Sequence, residues 1–345
     1  MPALKKKYLL KYFVEKHMVE MIDLKNKKVF LKKSPCPPEV AASDLFIGSK
    51  IYVFSRELEI VDYGDSYTRE TLGTQLQPSL AILTPKSAQY WGRFVDKVSS
   101  VLLVKSLRSV YLSDDAAEDI VDVLGLNGRK RQELVQGACL LVSVHGEDAT
   151  RVLADRFAAV CDEIGVSDVT TFALCPSNGE EVSTLMDITL RGTNGSGDTA
   201  TLDSCTCCII KPHAVKAGLA GAIMDSILSQ GYEVSAVQTL FFDRTSAEEF
   251  LEVYKGVIPH FEDHVVQLAS GPCVAMEIRA EDAVNTFRVT CGPWDISMAK
   301  ELRRGTLRAL FGQDNARSAV HCTDLAVDGP TECEYCFKLM DKTFY

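Results

Sequence analysis

The stretch CTCCIIKPHAVKAGLAGAIMDSILSQGYEVSAVQTLFF, residues 205–242, decides the fold class of this chain of 345 residues. Its first six residues form a largely apolar run typical of a buried strand. GLAGAIMDSILSQ has the apolar spacing of a helix, which ends near Gly231. YEVSAVQTLFF is rich in β-branched and aromatic residues, which favour strands. The stretch therefore predicts a strand, a helix and a second strand.

The residues that follow extend this alternation. SAEEFLEVYKG (246–256) begins with a Ser-x-x-Glu capping box from Ser246 and predicts a helix. GPCVAMEIRA (271–280) predicts the next strand, and a helix follows from Glu281 to about Arg288. Because strands alternate with helices without tight hairpins, we expect an α/β sandwich of the ferredoxin-like type, within an α+β chain.

An earlier region, residues 77–190, repeats the same patterns. QGACLLVSVHGEDA (136–149) echoes SGPCVAMEIRAEDA (270–283), and LAILTPK (80–86) echoes CCIIKPH (207–213). Similar offsets along the chain indicate a duplicated domain, so we expect a second ferredoxin-like sandwich here. Between the copies, RGTNGSGDTATLDS (191–204) has almost no apolar residues and predicts a flexible linker.

The first 76 residues predict a small β-rich domain. VEMIDL and KNKKVFLK form one candidate hairpin with a turn at Lys25 and Asn26, and KIYVFS and ELEIVDY form another at Ser55 and Arg56. The segment SPCPPEV (34–40) between them predicts a loop. The predicted domains are therefore 1–76, 77–190 and 205–345, with 191–204 as the linker.

Composition excludes several classes of protein. Hydrophobic residues make up 46% of the chain and charged residues 24%, which leaves enough apolar surface for sizeable cores. The sequence has no uninterrupted apolar run of membrane-spanning length, and the basic N-terminus has no apolar core of the kind a signal peptide needs. Twelve cysteines are present, but the single CxxC, Cys333 and Cys336, has no obvious second pair. We therefore expect packed, reduced thiols and no zinc site.

Charge is distributed unevenly along the chain. The net charge is −10, yet residues 1–33 hold ten Lys against Glu15, Glu20 and Asp23, a net of +7 that leaves −17 for the remainder. Such a run is either a solvated face or a surface that attracts an acidic partner. Nucleic acid is not an expected partner, because the acidic remainder would repel phosphates.

Several polar residues of the third region can combine chemically around His321, which lies in SAVHCTDL (318–325). One interpretation is a buried histidine that satisfies its own hydrogen bonds, and the other is a nucleophile. A lysine and two arginines can neutralise a polyphosphate, and a carboxylate can fix the tautomer of an imidazole that attacks a phosphoryl group. The set predicts phosphoryl transfer through a phosphohistidine: Lys211, Tyr254, Arg288, Arg308, His321 and Glu332.

Four strings of the third region, IIKPHAV, GPCVAME, RRGTLRALFG and AVHCTD, together resemble the nucleoside diphosphate kinases. The resemblance covers the whole region. It implies phosphotransfer from a nucleoside triphosphate such as ATP, with Mg²⁺, to a nucleoside diphosphate. It also implies that Thr323 replaces the serine of the catalytic loop, that Glu332 orients the nucleophile His321, and that four residues bind phosphate: Lys211, Tyr254, Arg288 and Arg308.

The third region departs from the family pattern where the nucleoside is expected to bind. The asparagine that contacts the sugar is Ser318, and the glycine after the histidine is Cys322. The phenylalanine that stacks on the base aligns with His260, and a threonine that contacts phosphate aligns with Trp294. We therefore expect His260 to stack on the base and nucleotide affinity to be weaker than is usual in the family. The segment 295–302 is also longer than its family counterpart.

The middle copy lacks the chemical residues. Thr84 aligns with Lys211, Leu124 with Tyr254 and Ala154 with Arg288, and no histidine follows His145 before the linker. These replacements predict an inactive kinase-like domain.

The N-terminal region resembles a DM-ten domain, a pleckstrin-homology-like module of axonemal proteins, through the strings VFLKK, DLFIG, VFSR and DYGD. A DM-ten domain before two tandem kinase-like domains is similar to an axonemal branch of the family. The resemblance implies a cilium or flagellum protein bound to tubulin of the doublet microtubule, as a microtubule inner protein, beside neighbouring axonemal proteins. It also implies association with basal-body or centrosomal nucleating complexes. A primarily structural protein with residual phosphotransfer and a primarily active kinase both remain open.

Overall fold

The computed structural model of the chain describes residues 6–37, 40, 42, 45, 50–54, 56–73, 77–192 and 199–340. The chain divides into one compact unit over residues 1–76 and a second over 77–344. Part of the predicted loop at 34–40, the turn residue Ser55 and linker residues 193–198 lie outside the described residues.

The first unit is β-rich, as its alternating pattern predicts. Strands β1 (Tyr8–Phe13), β2 (Met18–Asp23) and β3 (Lys28–Pro35) form an antiparallel sheet in that order, and β4 (Lys50–Val53) pairs with β5 (Arg56–Glu59) before helix α1 (Ser66–Gly73). Both predicted hairpins are present, between β2 and β3 and between β4 and β5. Alternate strand residues point inward, so Val19, Met21, Ile51 and Val53 form a shared core.

The second unit is built on one sheet of eight strands. These strands are β6 (Gln77–Leu83), β7 (Leu103–Val110), β8 (Cys139–Gly146), β9 (Ala173–Leu174), β10 (Cys205–Ile210), β11 (Glu233–Phe241), β12 (Pro272–Arg279) and β13 (Val320–Cys322). The helices are α2 (Trp91–Ser99), α3 (Asp114–Val123), α4 (Arg129–Leu134), α5 (Ala149–Glu163), α6 (Gly179–Gly192), α7 (Pro212–Lys216), α8 (Ala220–Leu228), α9 (Arg244–Phe250), α10 (Phe261–Leu268), α11 (Ala283–Cys291), α12 (Ile296–Leu302), α13 (Leu307–Phe311) and α14 (Gly329–Glu334).

The two halves of this sheet have the same strand order. The sheet runs β13-β10-β12-β11-β7-β8-β6-β9, so each half places its strands in the order fourth, first, third, second, with β11 and β7 meeting in the middle. Neighbouring strands are antiparallel and helices connect them. This is the ferredoxin-like arrangement that the alternation predicts for the C-terminal half.

Strand β10 is buried on both faces because helices cover both sides of the sheet. Cys205, Cys207 and Ile209 pack into one core, whereas Cys208 and Ile210 pack into the other. This alternation follows from the two-residue period of a strand. The strand ends immediately before Lys211, which therefore lies at the edge of both cores.

The two halves pair with one another across the middle of the sheet. The Leu107 amide donates to the Thr239 hydroxyl at 2.9 Å, and the Val237 amide donates to the Ser109 hydroxyl at 2.7 Å. Helices α2 and α8 cross this junction at close range. A Cβ at Gly221 would lie 2.0 Å from the Asp96 nitrogen, and one at Gly92 would lie 2.1 Å from the Asp225 nitrogen. Glycine is therefore required at both crossing points.

The predicted linker is fixed at its C-terminal end. The amides of Thr201 and Leu202 donate to the two carboxylate oxygens of Glu277 at 2.8 and 2.7 Å, and Thr199 is buried against Ser109. Helix α6 also continues to Gly192. Residues 199–202 thus pack as part of the domain because a buried carboxylate binds their backbone, which a polar composition alone does not reveal.

One local prediction needs correction. Helix α9 begins three residues earlier than expected, since Asp243 is the N-cap and Ser246 completes a capping box with it as the third residue. The segment 295–302, expected to be longer than its family counterpart, contains helix α12, capped by the Asp295 side chain. Among the described residues, no helix combines the length and apolar character needed to span a membrane.

Candidate functional site

The strand β13 and the turn before it position the site. In β13, Val320 pairs with Ile210 of β10, and His321 pairs with Ile209. Ala319 has a φ of +67°, and the Val320 amide donates to the Ser318 carbonyl at 2.9 Å across it. A left-handed residue inside such a three-residue turn is strained, and strain of this kind clusters at functional sites. The turn directs the His321 side chain inward, where it is 3% exposed.

His321 is held by a carboxylate from the C-terminal helix. Its Nε2 atom lies 2.8 Å from Oε2 of Glu332 in α14, and the Thr323 hydroxyl donates to the same oxygen at 2.8 Å. A carboxylate accepts hydrogen bonds only, so neutral His321 carries its proton on Nε2. The lone pair is then on Nδ1, the nitrogen available for attack. Edge contacts of the ring with Phe250 and Tyr254 fix its plane.

Lys211 approaches the same turn from the end of β10. Its ammonium donates to the Ser318 hydroxyl at 2.8 Å and to the Ala316 carbonyl at 3.0 Å. Burial, together with the nearby charge of Arg308, lowers the pKa of Lys211 to about 7. The free protein therefore holds a lysine that is only partly charged near neutral pH, and a bound anion would favour its charged form.

Arg308, in α13, is also buried. Its guanidinium donates to the Gly292 carbonyl at 2.9 Å and lies 3.5 Å from the sulfur of Cys322, the residue after the histidine. A hydrogen bond from Cys291, helped by the Arg308 charge, lowers the pKa of Cys322 to about 6. The Cys322 sulfur thus pairs with one of the phosphate-binding candidates.

Arg288 lies at the mouth of the site. Its Nε atom is 3.1 Å from a carboxylate oxygen of Asp324, and its Nη1 donates to the Asp324 carbonyl. Both side chains border an open cleft of about 630 Å³. The cleft is lined by Tyr254, Val257, Ile258, Asn285, Arg288, Val289, Gly292, Pro293, Trp294, Arg303, Arg308 and Asp324. His321 is not part of this lining, so the open cleft ends short of the nucleophile.

Trp294 lies among the phosphate-binding candidates. Its ring stacks on Tyr254 with centroids 5.9 Å apart and packs on His264 at 5.2 Å. The Lys211 nitrogen and the Arg308 guanidinium carbon lie 5.7 and 5.5 Å from its centroid. Both cations are within the range of cation–π attraction, so the indole occupies space beside the groups that would receive phosphate.

The structure brings together most of the sequence-predicted residues. Six of them are buried, namely Lys211, Tyr254, Arg308, Ser318, His321 and Thr323, while half-buried Glu332 contacts His321 and Thr323 and Arg288 joins them through the cleft. His260 is different, since it is exposed at the N-cap of α10 and does not line the cleft. In this arrangement Trp294 and His264, not His260, supply the rings beside the cations.

Sequence reasoning missed three polar residues of the cleft, Asn285, Arg303 and Asp324, as well as its apolar lining. Asp324 could have been found from the sequence, because it is the last residue of the AVHCTD string that contains His321. Arg303 is the C-cap of α12, five residues before Arg308 in the string RRGTLR. Asn285 lies one helical turn before Arg288 in α11, so helical spacing puts both on one face.

The first half of the sheet has a different side chain at the nucleophile position. The Thr84 amide donates to the Phe172 carbonyl. At the equivalent place in the C-terminal half, the Lys211 amide donates to the Ala319 carbonyl. Leu174 pairs with Ile82 as His321 pairs with Ile209. The register therefore makes Leu174 the counterpart of His321, and a leucine offers no nucleophile.

Comparisons with known proteins agree with this geometry. The sequence model of the family "Nucleoside diphosphate kinase" matches residues 204–341. "Nucleoside diphosphate kinase homolog 7" of Rattus norvegicus is 36% identical over 98% of this chain and 90% of its own length, and the Mus musculus protein of that name has the same identity and coverage. The "Nucleoside diphosphate kinase" of Aquifex aeolicus is 34% identical over 38% of this chain and 91% of its own length.

Proposed function

This chain belongs to the nucleoside diphosphate kinase family, and we propose that its C-terminal half transfers a phosphoryl group from a nucleoside triphosphate to a nucleoside diphosphate. The observation that carries this proposal is the hydrogen bond between His321 Nε2 and Glu332 at 2.8 Å, next to the buried cations Lys211 and Arg308. The remaining nitrogen of the imidazole is thereby prepared for attack beside positive charge.

The reaction has two steps, phosphorylation of His321 and transfer of the phosphoryl group to the acceptor. His321 Nδ1 forms a bond to the γ-phosphorus while the bond from phosphorus to the bridging oxygen breaks, and the nucleoside diphosphate leaves with that electron pair. The positive charge that develops on the ring is stabilised by the Glu332 carboxylate through Nε2–H. A second nucleoside diphosphate then takes the phosphoryl group from Nδ1 and restores neutral His321. Lys211 and Arg308 neutralise the transferred phosphoryl oxygens in both directions.

The side chains fit a nucleotide that arrives with Mg²⁺ bound. Asp324 is the one carboxylate that lines the cleft in the described part of the chain, and Arg288 engages it. Mg²⁺ commonly binds through substrate phosphates with few protein carboxylates. When bound, the ion supplies neutralising charge at the phosphate oxygens, while Arg288 and Arg308 contribute the protein's own positive charge.

We propose that residues 77–190 are a non-catalytic copy that supports the active half. Leu174 at the histidine position and Thr84 at the lysine position leave that copy without the two central groups. Its contribution is structural, since β7 and α2 cover the β11 and α8 surfaces of the C-terminal half.

Steady-state phosphotransfer tests the proposed reaction. The full chain should convert a nucleoside triphosphate and an acceptor diphosphate by ping-pong kinetics, giving parallel reciprocal plots, because the two nucleotides use one site in turn. His321→Asn should abolish turnover and keep the circular dichroism of the wild type. Intersecting plots, or turnover that survives in His321→Asn, would contradict the proposal.

A second function, attachment to doublet microtubules in cilia or flagella, is favoured by the charge of the first unit. The β2–β3 turn and β3 present exposed lysines to solvent: Lys25, Lys27, Lys28, Lys32 and Lys33. β3 is an edge of its sheet, so this charge also discourages strand pairing between molecules. Tubulin surfaces are acidic, and a concentrated positive strand would bind them by charge attraction that salt weakens.

Co-sedimentation of the full chain with microtubules tests attachment. The double variant Lys28→Glu/Lys32→Glu should lose binding at low salt. Lys300→Glu/Lys338→Glu is the matched control, because it makes the same charge change at exposed lysines of the second unit. Equal loss in both variants would show an effect of net charge and would exclude β3 as the contact.

A further inference from the structure

Two cysteine pairs that are far apart in sequence converge between β10 and α14. Cys205 and Cys207 are two residues apart on the strand, so their side chains point to the same face. Cys333 in α14 and Cys336 in the helical segment that follows it, Tyr335–Leu339, are one turn apart and pack against them. The sulfurs of Cys207 and Cys336 are 3.9 Å apart, and all four cysteines pack in one buried cluster.

A carboxylate joins this thiol cluster. Glu277 of β12 is directly opposite Cys207 in the strand register and is fully buried. The ligand atoms of Cys205, Glu277 and Cys333 all lie within 4.8 Å of one another. In a tetrahedral zinc site with bonds of about 2.3 Å, ligand atoms are about 3.8 Å apart. Shifts of about 1 Å or less therefore bring these three atoms to zinc distance, and the Cys207 side chain must rotate toward them to supply the fourth ligand.

The Glu277 carboxylate has capacity for one more partner. Its Oε2 accepts from the Thr201 amide and from the hydroxyls of Thr201 and Ser235, whereas among the described residues Oε1 accepts one backbone amide, that of Leu202. A carboxylate oxygen has two lone pairs. The second lone pair of Oε1 is therefore the one that a metal ion would share.

We propose that Cys205, Cys207, Cys333 and Glu277 bind a zinc ion. Three thiolates and one carboxylate match the ligand preferences of this borderline-soft ion and disfavour Mg²⁺ or Ca²⁺. Binding forms three Zn–S bonds and one Zn–O bond, and the three thiol protons pass to solvent. The burial of every ligand and the absence of an open coordination position are typical of a structural site.

The ion would connect the first strand of the C-terminal half to its last helix. Gly329 already lets α14 approach closely, because a Cβ there would lie 2.3 Å from the Cys205 carbonyl oxygen. Cys333 immediately follows Glu332, so zinc on Cys333 would restrain the residue that orients His321. The proposal does not rest on phosphotransfer, since the site would bind metal whether or not His321 reacts.

Cobalt substitution of the full chain tests this site. The reduced protein, stripped of metal by a chelator, is titrated with Co²⁺ alone. One equivalent should give thiolate-to-cobalt charge-transfer absorption and the visible bands of tetrahedral cobalt, and Zn²⁺ should displace them. Cys205→Ser and Cys333→Ser should lose these bands, whereas Cys139→Ser, at a buried cysteine of the other half, should keep them.

Folded wild-type protein without charge-transfer absorption would overturn the proposal, and so would undiminished bands in Cys333→Ser. If the serine variants do not fold, X-ray absorption at the zinc edge of the zinc-loaded wild type identifies the ligands instead. Three sulfur scatterers with one oxygen support the site, and a shell of nitrogen and oxygen alone overturns it. Zn²⁺ should also raise the melting temperature of the wild type and of Cys139→Ser, and an unchanged melting temperature would contradict the structural role.

Discussion

The indole ring of Trp294 lies 5.5 Å from the guanidinium carbon of Arg308 and occupies space beside a phosphate-binding candidate. The same ring is 5.7 Å from the Lys211 nitrogen. We therefore expect a nucleotide whose terminal phosphate reaches these cations to compete with the ring for them, and substrate entry to move this tryptophan.

Trp294→Thr should raise nucleotide affinity. Two cation–π contacts contribute about 1–2 kcal/mol that the nucleotide must replace, so their removal should tighten binding about tenfold. Titration calorimetry with a nucleoside diphosphate and Mg²⁺ measures the change. Met298→Thr, at an exposed position of the same segment, should leave affinity unchanged. Weaker binding by Trp294→Thr would instead make the indole a part of the nucleotide site.

Nucleotide binding should take up a proton above neutral pH. Burial lowers the pKa of Lys211 to about 7, and an adjacent phosphate favours the charged form, so the lysine gains a proton when nucleotide binds. Calorimetry at pH 8 in buffers of different ionisation enthalpy should reveal this uptake. Lys211→Arg should bind without it, because arginine is already protonated. Identical binding heats of the wild type in all buffers would refute the assignment.

The same lysine has a predictable effect on stability. Its folded pKa of about 7 lies below the unfolded value of 10.5, so the unfolded chain binds more protons between these values. The Lys211 contribution to the free energy of unfolding therefore rises with pH across that window. Urea unfolding of wild type and Lys211→Met at pH 7 and 9 should show a larger increase for the wild type.

Glu332→Gln should slow phosphorylation of His321 without blocking nucleotide binding. The amide can still accept from Nε2–H, but it lacks the charge that stabilises the developing imidazolium. We expect a loss of about a hundredfold in the rate of phosphohistidine formation, measured by rapid quench. Glu334→Gln, an exposed residue of the same helix, is the control. An unchanged rate would separate Glu332 from the chemistry.

Gly221→Ala should destabilise the second unit by about 1–3 kcal/mol, because the new methyl group would overlap the α2 backbone at Asp96. Gly92→Ala should cost a similar amount at the symmetric position. Gly179→Ala meets open space and should change the free energy of unfolding by less than about 0.5 kcal/mol. Urea unfolding followed by circular dichroism compares the three. A neutral Gly221→Ala would mean that the halves are not packed this closely.

Local patterns predicted the strand and helix order of the C-terminal half, because β10, α8 and β11 each carry their own periodicity. The duplicated strings likewise anticipated the shared strand order of the two halves. Motif residues such as Lys211, His321 and Glu332 could be singled out because charge and nucleophile types stand out in an apolar context. These features depend on nearby residues, and a single sequence contains them.

Features that depend on distant residues were not predictable. Thr201 is polar and Leu202 is an isolated apolar residue, so the sequence gives no sign that these linker residues pack. Only the fold brings Glu277 to their amides. Zinc binding was not expected for lack of a second cysteine pair, yet Cys205 and Cys207 pack with Cys333 in one buried cluster across the sheet and helix interface. Trp294 was recognised as a departure from the family pattern. The sequence did not indicate that its ring would lie beside both Lys211 and Arg308.

Labelling of His321 is the most direct test of the account. The full chain is incubated with Mg²⁺ and ATP labelled at the γ-phosphate, and acid-labile, base-stable phosphate is measured on the protein. We predict stoichiometric label on the wild type and on His145→Ala, and none on folded His321→Ala. A folded wild type that stays unlabelled, or a His321→Ala variant that retains the label, would contradict the claim that His321 is the phosphoryl-accepting nucleophile.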